Sequence, residues 1–125
     1  MRLLLDTNAL LWFVREPQTL RRMAYDAIVD PANDVRVSMA SIWEAAIKAG
    51  TGKLVLPADF MGSIEASGLR LLDITSRHAL KVIDLPRHHR DPFDRLLVAQ
   101  AMIEELTLVT RDATLPRYGV SILAA

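Results

Sequence analysis

The chain has 125 residues, 51% hydrophobic and 24% charged, with no cysteine. That composition sets a single globular domain with a real core, and excludes a disordered polymer, a collagen-like repeat, a disulfide scaffold, a thiolate nucleophile and a cysteine-based zinc site. Lys plus Arg and Asp plus Glu both number 15, so the net charge is zero, and any nucleic-acid contact must come from a local basic patch rather than a general excess of cations.

The longest near-apolar stretch, Leu3 to Val14, is interrupted by Asp6-Thr7-Asn8 and is too short and polar to span a membrane. Met1 to Leu5 has neither the apolar run nor the small-residue cleavage site of a secretory signal. The expectation is a soluble cytoplasmic protein.

Residues 2–5 form an apolar run ended by Asp6 and read as a buried strand. Residues 8–14 read as a helix stopped before Pro17, and residues 19–29 as a second, with Leu20, Met23, Ala24, Ala27 and Ile28 at helical spacing. Pro31 to Asp34 is a turn, and residues 35–38 alternate like a strand. Ser41 opens a helix through about Ala49, stopped by Gly50-Thr-Gly52. Further helices fit residues 58–67, ended by Gly68, and 76–84, followed by Pro86, with a strand candidate over 69–74 between them. Asp91-Pro92 opens the clearest helix, whose apolar face is Phe93, Leu96, Leu97, Ala101 and Ile103. Strands over 106–110 and 120–123 complete the chain. Short apolar strands alternating with helices predict an α/β fold with a parallel sheet, and in such sheets ligands bind outside the carboxyl ends of the strands.

Four acids stand at such places. Asp6 follows the first strand and Asp112 the strand ending at Thr110; Glu44 and Asp94 lie in the first turns of the helices opened at Ser41 and Asp91. If these helices start on one side of the sheet, the four carboxylates converge. Carboxylates in one pocket repel unless a cation offsets them, and all-oxygen ligation selects a hard ion such as Mg²⁺ or Mn²⁺. Attack of a metal-activated water on a phosphodiester is the natural reaction of such a site.

Each acid also has a purely structural explanation. Asp and Glu suit the first turn of any helix. Ser41-Ile-Trp-Glu44 reads as a capping box, with Ser41 as N-cap and Glu44 as its N3 partner, and Asp91-Pro92 is a good helix start. Asp6 and Asp112 could be N-caps. Asp6 makes the best single case for chemistry, because its strand is apolar and nothing local pairs it.

Four segments occur in order: Leu3-Leu-Leu-Asp-Thr-Asn-Ala-Leu-Leu-Trp12, Ser41-Ile-Trp-Glu-Ala-Ala-Ile-Lys48, His89-Arg-Asp-Pro-Phe-Asp-Arg-Leu-Leu-Val-Ala-Gln100 and Leu106-Thr-Leu-Val-Thr-Arg-Asp112. In this combination the chain resembles, from end to end, the PIN-domain family, and specifically its VapC-type toxin ribonucleases. The Asp-Thr-Asn and Asp-Pro-Phe-Asp-Arg segments are the specific part. The resemblance implies a three-layer fold over residues 1–125, with a central parallel sheet of four to five strands flanked by helices. It implies Mg²⁺- or Mn²⁺-dependent endonucleolytic cleavage of RNA, with the metal and catalytic residues falling on Asp6, Glu44, Asp94 and Asp112. Thr7, Asn8 and Thr110 match the small polar residues that support the acids. It implies a homodimer held inactive by a small cognate antitoxin. The chain departs from many relatives after Asp112, where it reads Ala-Thr-Leu-Pro-Arg-Tyr118 in place of a further acid and an aromatic. Whether Asp112 ligates directly or through water stays open.

Arg87-His-His-Arg90, with Arg95 behind it, is the densest basic stretch; Arg87, Arg90 and Arg95 could hold RNA phosphates or simply be solvated. Adjacent His88 and His89 make a poor zinc pair, with His78 the only other histidine. Trp12 and Trp43 could stack an RNA base, fill the core or form a dimer contact. Gly50-Thr-Gly-Lys53 follows a helix rather than a strand and lacks phosphate-loop spacing. Three rivals remain: a phospho-receiver domain using Asp73, which lacks the required late lysine; a catalytically inert PIN-like module that binds RNA or a partner; and a cutter of structured DNA, whose helical insertions this chain lacks.

Overall fold

The first strand, β1 (Arg2–Leu5), is buried on both faces: Leu3 and Leu5 enter one hydrophobic cluster and Leu4 the other. A strand with two dry faces must lie mid-sheet between layers of helices. The computed structural model describes residues 1–125 and shows this arrangement. Five parallel strands run in the order β3-β2-β1-β4-β5, with β2 (Asp34–Ser38), β3 (Arg70–Leu72), β4 (Thr107–Thr110) and β5 (Ile122–Ala124). The register places Leu3 beside Val35 and Leu5 beside Val109.

One layer joins α1 (Thr7–Arg15), α2 (Arg22–Val29) and α4 (Phe60–Ala66), whose Leu10, Ala24, Ile28 and Ile64 pack on Leu3, Leu5, Val35 and Val37. The other is built around α6 (Pro92–Glu104), whose Leu97 and Val98 share a cluster with Leu4 and Leu108. Between them in sequence, α3 (Met39–Gly50) sends Ala45 to the first cluster and Ala40 to the second, while α5 (Ser76–Lys81) packs beside α6.

The structure moves several expected boundaries. The second helix begins at Arg22, not 19, because buried Leu20 is extended after a single 3-10 turn over Pro17–Thr19. α4 is shortened to 60–66, its start fixed by the Asp59 carboxylate accepting from the Gly62 N–H. β3 covers 70–72 instead of 69–74, since its partner β2 turns into α3 after Ser38, opposite Leu72. The last strand is 122–124 instead of 120–123; a 3-10 turn over Leu115–Tyr118 and left-handed Gly119 delay pairing with β4 until Ile122. The apolar stripe expected on α6 is also corrected. Its fully buried residues are the consecutive run Leu97 to Ala101, while Phe93, Leu96 and Ile103 are only half-buried. Five neighbouring positions span more than a full turn, because α6 is enclosed by the sheet, α3 and α5.

The chain steps outward from β1 through β2 to β3, then crosses back to place β4 on the other side of β1. The strand order therefore reverses at β1, and a crevice opens at its carboxyl end, between the segments that follow β1 and β4.

Candidate functional site

Asp6, Thr7, Asn8, Trp12, Glu44, Lys48, Asp91, Asp94, Arg111 and Asp112 line one cleft of about 330 Å³ at this crevice. All four acids singled out in the sequence are among them. Asp73, the acceptor that a receiver domain would need, is exposed elsewhere and does not line the cleft.

Asp6 is 6% exposed. It is the N-cap of α1: Oδ1 accepts from the Ala9 N–H at 2.7 Å, and Oδ2 from the Thr110 hydroxyl at 2.6 Å. The expectation that nothing local pairs it is thus corrected, since capping and a place in the cleft are compatible for one carboxylate with several lone pairs. Burial holds its pKa above the ordinary value; the two hydrogen bonds pull it back in part, and the charges of Asp112 and Glu44 push it up again.

Glu44 is 8% exposed. Its Oε1 accepts from the Thr7 hydroxyl at 2.6 Å, and its Oε2 pairs with Lys48 at 3.0 Å one turn on. The capping box expected from Ser41 and Glu44 does not form. The helix opens three residues earlier, where Ser38 Oγ accepts from the Ala40 N–H. Ser41 lies inside α3, and its hydroxyl lies 3.1 Å from that of Thr7, whose one hydrogen goes to Glu44. The shift leaves Glu44 facing the cleft rather than folding back on the helix end.

Asp94 stands in the first turn of α6, behind the N-cap Asp91, whose Oδ1 accepts from Phe93 and Asp94 N–H. Burial, then the neighbouring Asp91 charge, pushes its pKa up to about 7; His89 opposes the rise, and Asp6 and Glu44 add to it. Asp112 lies beyond β4. Burial works upward on it too, but is outweighed by the Thr114 N–H and by His89, so its pKa lies below the usual range.

His89 is the residue that sequence reasoning missed as a member of the site. Its Nε2 lies 2.8 Å from Asp112 Oδ2 and 3.2 Å from Asp94 Oδ2, and the donor atoms of the three groups all fall within 4.8 Å of one another. The Asp91 N–H can only donate, and it points at His89 Nδ1 at 3.0 Å. Nδ1 is therefore the bare nitrogen and Nε2 carries the hydrogen. His89 thus acts as a hydrogen-bond donor to Asp112, with Asp94 close beside it, and not as a ligand. Its position two residues before Asp91 was the available signal. His88 instead meets Tyr118 edge to face at 5.0 Å, and buried His78 binds Glu104, so the three histidines do not form a cluster.

Arg87, His89, Arg90 and Arg95 border a separate depression. Arg87 and Arg90 are exposed. The Arg95 guanidinium is spent on the carbonyls of Pro86, Val82 and Leu85. Trp12 lies in the cleft wall, and Trp43 is 60% exposed with its edge against Phe93.

The donor set fits a hard divalent cation. It is all oxygen, and the pKa values of Asp6 and Asp94 are raised first by burial and further by the neighbouring carboxylates, both of which a bound cation would offset. No helix is long and apolar enough to cross a membrane.

A five-stranded parallel α/β fold with the carboxylates of Asp6, Glu44, Asp91, Asp94 and Asp112 around its switch point defines a class of acidic-site domains. The chain belongs to the PIN domain family, which it matches over residues 3–120. It is 32% identical over 115 residues to "Ribonuclease VapC22" of Mycobacterium tuberculosis, covering 90% of this chain and 88% of that protein. Among solved structures it is similar to VapBC2 from Rickettsia felis bound to a DNA fragment from its promoter (TM-score 0.74, 17% identity, 98% of each chain). It is also similar to DNA-bound VapBC from Salmonella typhimurium (TM-score 0.73, 18% identity, 98% and 97% covered).

Proposed function

We propose that this chain is a divalent-metal-dependent endoribonuclease, using Mg²⁺ or, in its place, Mn²⁺, and that it is the toxin of a toxin–antitoxin pair. The observation that carries the chemistry is the convergence of Asp6, Glu44, Asp94 and Asp112 on one cleft from four separate segments of the chain. The similarity to a protein named as a ribonuclease supports RNA as the substrate, and the similarity to VapBC complexes supports a small antitoxin as partner.

In this reading the four acids hold the cation, with the choice between direct and water-mediated contact open for Asp112. When bound, such an ion activates water and offsets the negative charge that builds on phosphorus. The chain's own groups set the geometry. Thr110 and the Ala9 N–H fix both oxygens of Asp6, Thr7 fixes Glu44, and the His89 Nε2–H fixes Asp112. Asn8 borders the same cleft and is free to meet the substrate backbone. Arg87 and Arg90 extend a cationic rim for RNA phosphates. A homodimer and a cytoplasmic location complete the reading; exposed Trp43 and Ile47 on α3 offer apolar surface for self-association.

Sequencing the ends of cellular RNAs after brief expression, beside the Asp6→Asn variant, tests the function. New ends at defined sites, absent with Asp6→Asn, are expected. Identical profiles would leave the inert binding module as the better reading.

A further inference from the structure

The cleft has two cationic side chains, and they are held differently. Lys48 is ion-paired with Glu44. Arg111 forms no ion pair with any of the acids beside it. Its guanidinium carbon lies 4.2 Å from the centre of the Trp12 ring, and its Nη2 donates to the Thr19 carbonyl at 2.7 Å and the Ala125 carbonyl at 2.9 Å. Trp12, Thr19 and Ala125 thus fix one guanidinium over an indole at the edge of the acidic cleft, in a residue that is itself exposed.

What such a plate can bind follows from what it has left. Guanidinium groups grip phosphate best through paired N–H groups. Both Nη2 hydrogens are already used, so a fork that pairs Nη2 with a neighbouring nitrogen is not available, and the Nε–H and Nη1 hydrogens remain only as donors along the plate's edge. The planar face away from Trp12 remains. A flat, neutral, polarisable group suits that face, whereas an anion placed there would sit beside several carboxylates. In a single RNA strand the group of that kind is the nucleobase, which commonly stacks on arginine planes and aromatic rings.

We propose that Arg111, backed by Trp12, is the seat of one nucleobase of the RNA strand, next to the phosphodiester that enters the acidic cleft. This rests on the ribonuclease reading and adds a subsite to it. Arg111 is fixed before the strand arrives, so little ordering is needed on binding.

The test uses the full chain carrying Asp6→Asn, to bind without cutting, and Trp43→Phe, to leave Trp12 as the one tryptophan. The probes are a short single-stranded RNA of mixed sequence and its set with one abasic nucleotide at each successive position. Binding should change the Trp12 emission, and one abasic position should weaken it about tenfold. Arg111→Lys should lose about as much on the intact RNA, and nothing more on that one abasic RNA. Read by filter binding of labelled RNA, since these variants carry no tryptophan, Trp12→Phe should keep the affinity and Trp12→Leu should lose it, which keeps the test decisive should Arg111→Lys unfold. Equal affinity for every abasic RNA overturns the proposal, as does an Arg111→Lys variant that binds like the parent. If the wild-type chain cuts RNA but binding ignores Arg111 and Trp12, only this proposal fails; if it neither binds nor cuts RNA, the ribonuclease reading fails with it.

Discussion

The Thr110 hydroxyl donates to Asp6 Oδ2 at 2.6 Å across 104 residues of sequence, and the same oxygen accepts from the Asp112 N–H at 3.0 Å. One side chain at the end of β4 therefore orients two of the cleft acids, Asp6 and Asp112. Thr110→Val should remove both bonds at nearly constant volume and leave Asp6 buried with a single donor. A loss of about 1–3 kcal/mol in urea unfolding is expected, with weaker Mn²⁺ binding at neutral pH; Thr110→Ser should retain most of both. A valine variant equal to the parent in stability and Mn²⁺ affinity would show that the contact is idle.

Asp94 sets a pH dependence. Its folded pKa of about 7 stands above the ordinary 3.8, so the folded chain keeps a proton that the unfolded chain has released. That stabilising term is complete below about pH 4 and is lost as pH rises through 7; Asp6 acts in the same direction, and Asp112, with its pKa lowered, in the opposite one at more acid pH. Metal-free protein should therefore lose stability between pH 4 and 7, and Asp94→Asn should flatten that decline. Mn²⁺ affinity should climb over the same interval, as a cation must displace the Asp94 proton. Urea unfolding and calorimetry at stepped pH check both trends; a slope unchanged in Asp94→Asn contradicts the assignment.

Arg95 and its basic neighbours should separate cleanly. Arg95 ties the segment before α6 to itself through the carbonyls of Val82, Leu85 and Pro86. Arg95→Met should cost about 2 kcal/mol of stability by orphaning those carbonyls. The double change Arg87→Gln with Arg90→Gln should leave stability within about 0.5 kcal/mol, and should lower the salt dependence of RNA binding by about two phosphate contacts. The reverse pattern in thermal melts and filter binding would exchange their roles.

Ser38, not Ser41, caps α3. Ser38→Ala should cost about 1 kcal/mol through the lost cap. Ser41→Ala should cost less, because Thr7 keeps Glu44 as its acceptor. Parallel denaturation curves decide the order.

Much of this was legible in the chain. Asp6, Glu44, Asp94 and Asp112 could be picked out because each sits where a strand ends or a helix begins, and a parallel sheet turns such positions toward one edge. The boundaries that moved were set by partners distant in sequence: β3 stops where β2 turns away, and β5 starts where β4 is in register. The capping box at Ser41 was a sound local pattern that lost to Ser38, because Ser41 and Glu44 are both engaged by Thr7 from another helix. The roles of His89 and Arg111 in the site were not legible for the same reason. Their partners, Asp112, Thr19 and Ala125, are remote in sequence, and no spacing rule marks them.

Calorimetric titration of Mn²⁺ into the metal-free chain, beside Asp6→Asn and Asp94→Asn, bears most directly on the acidic cleft. Saturable binding at neutral pH is expected, weakened at least about tenfold by either substitution while circular dichroism stays unchanged. A wild-type chain that takes up no Mn²⁺, or variants that bind as tightly as it does, would contradict the account.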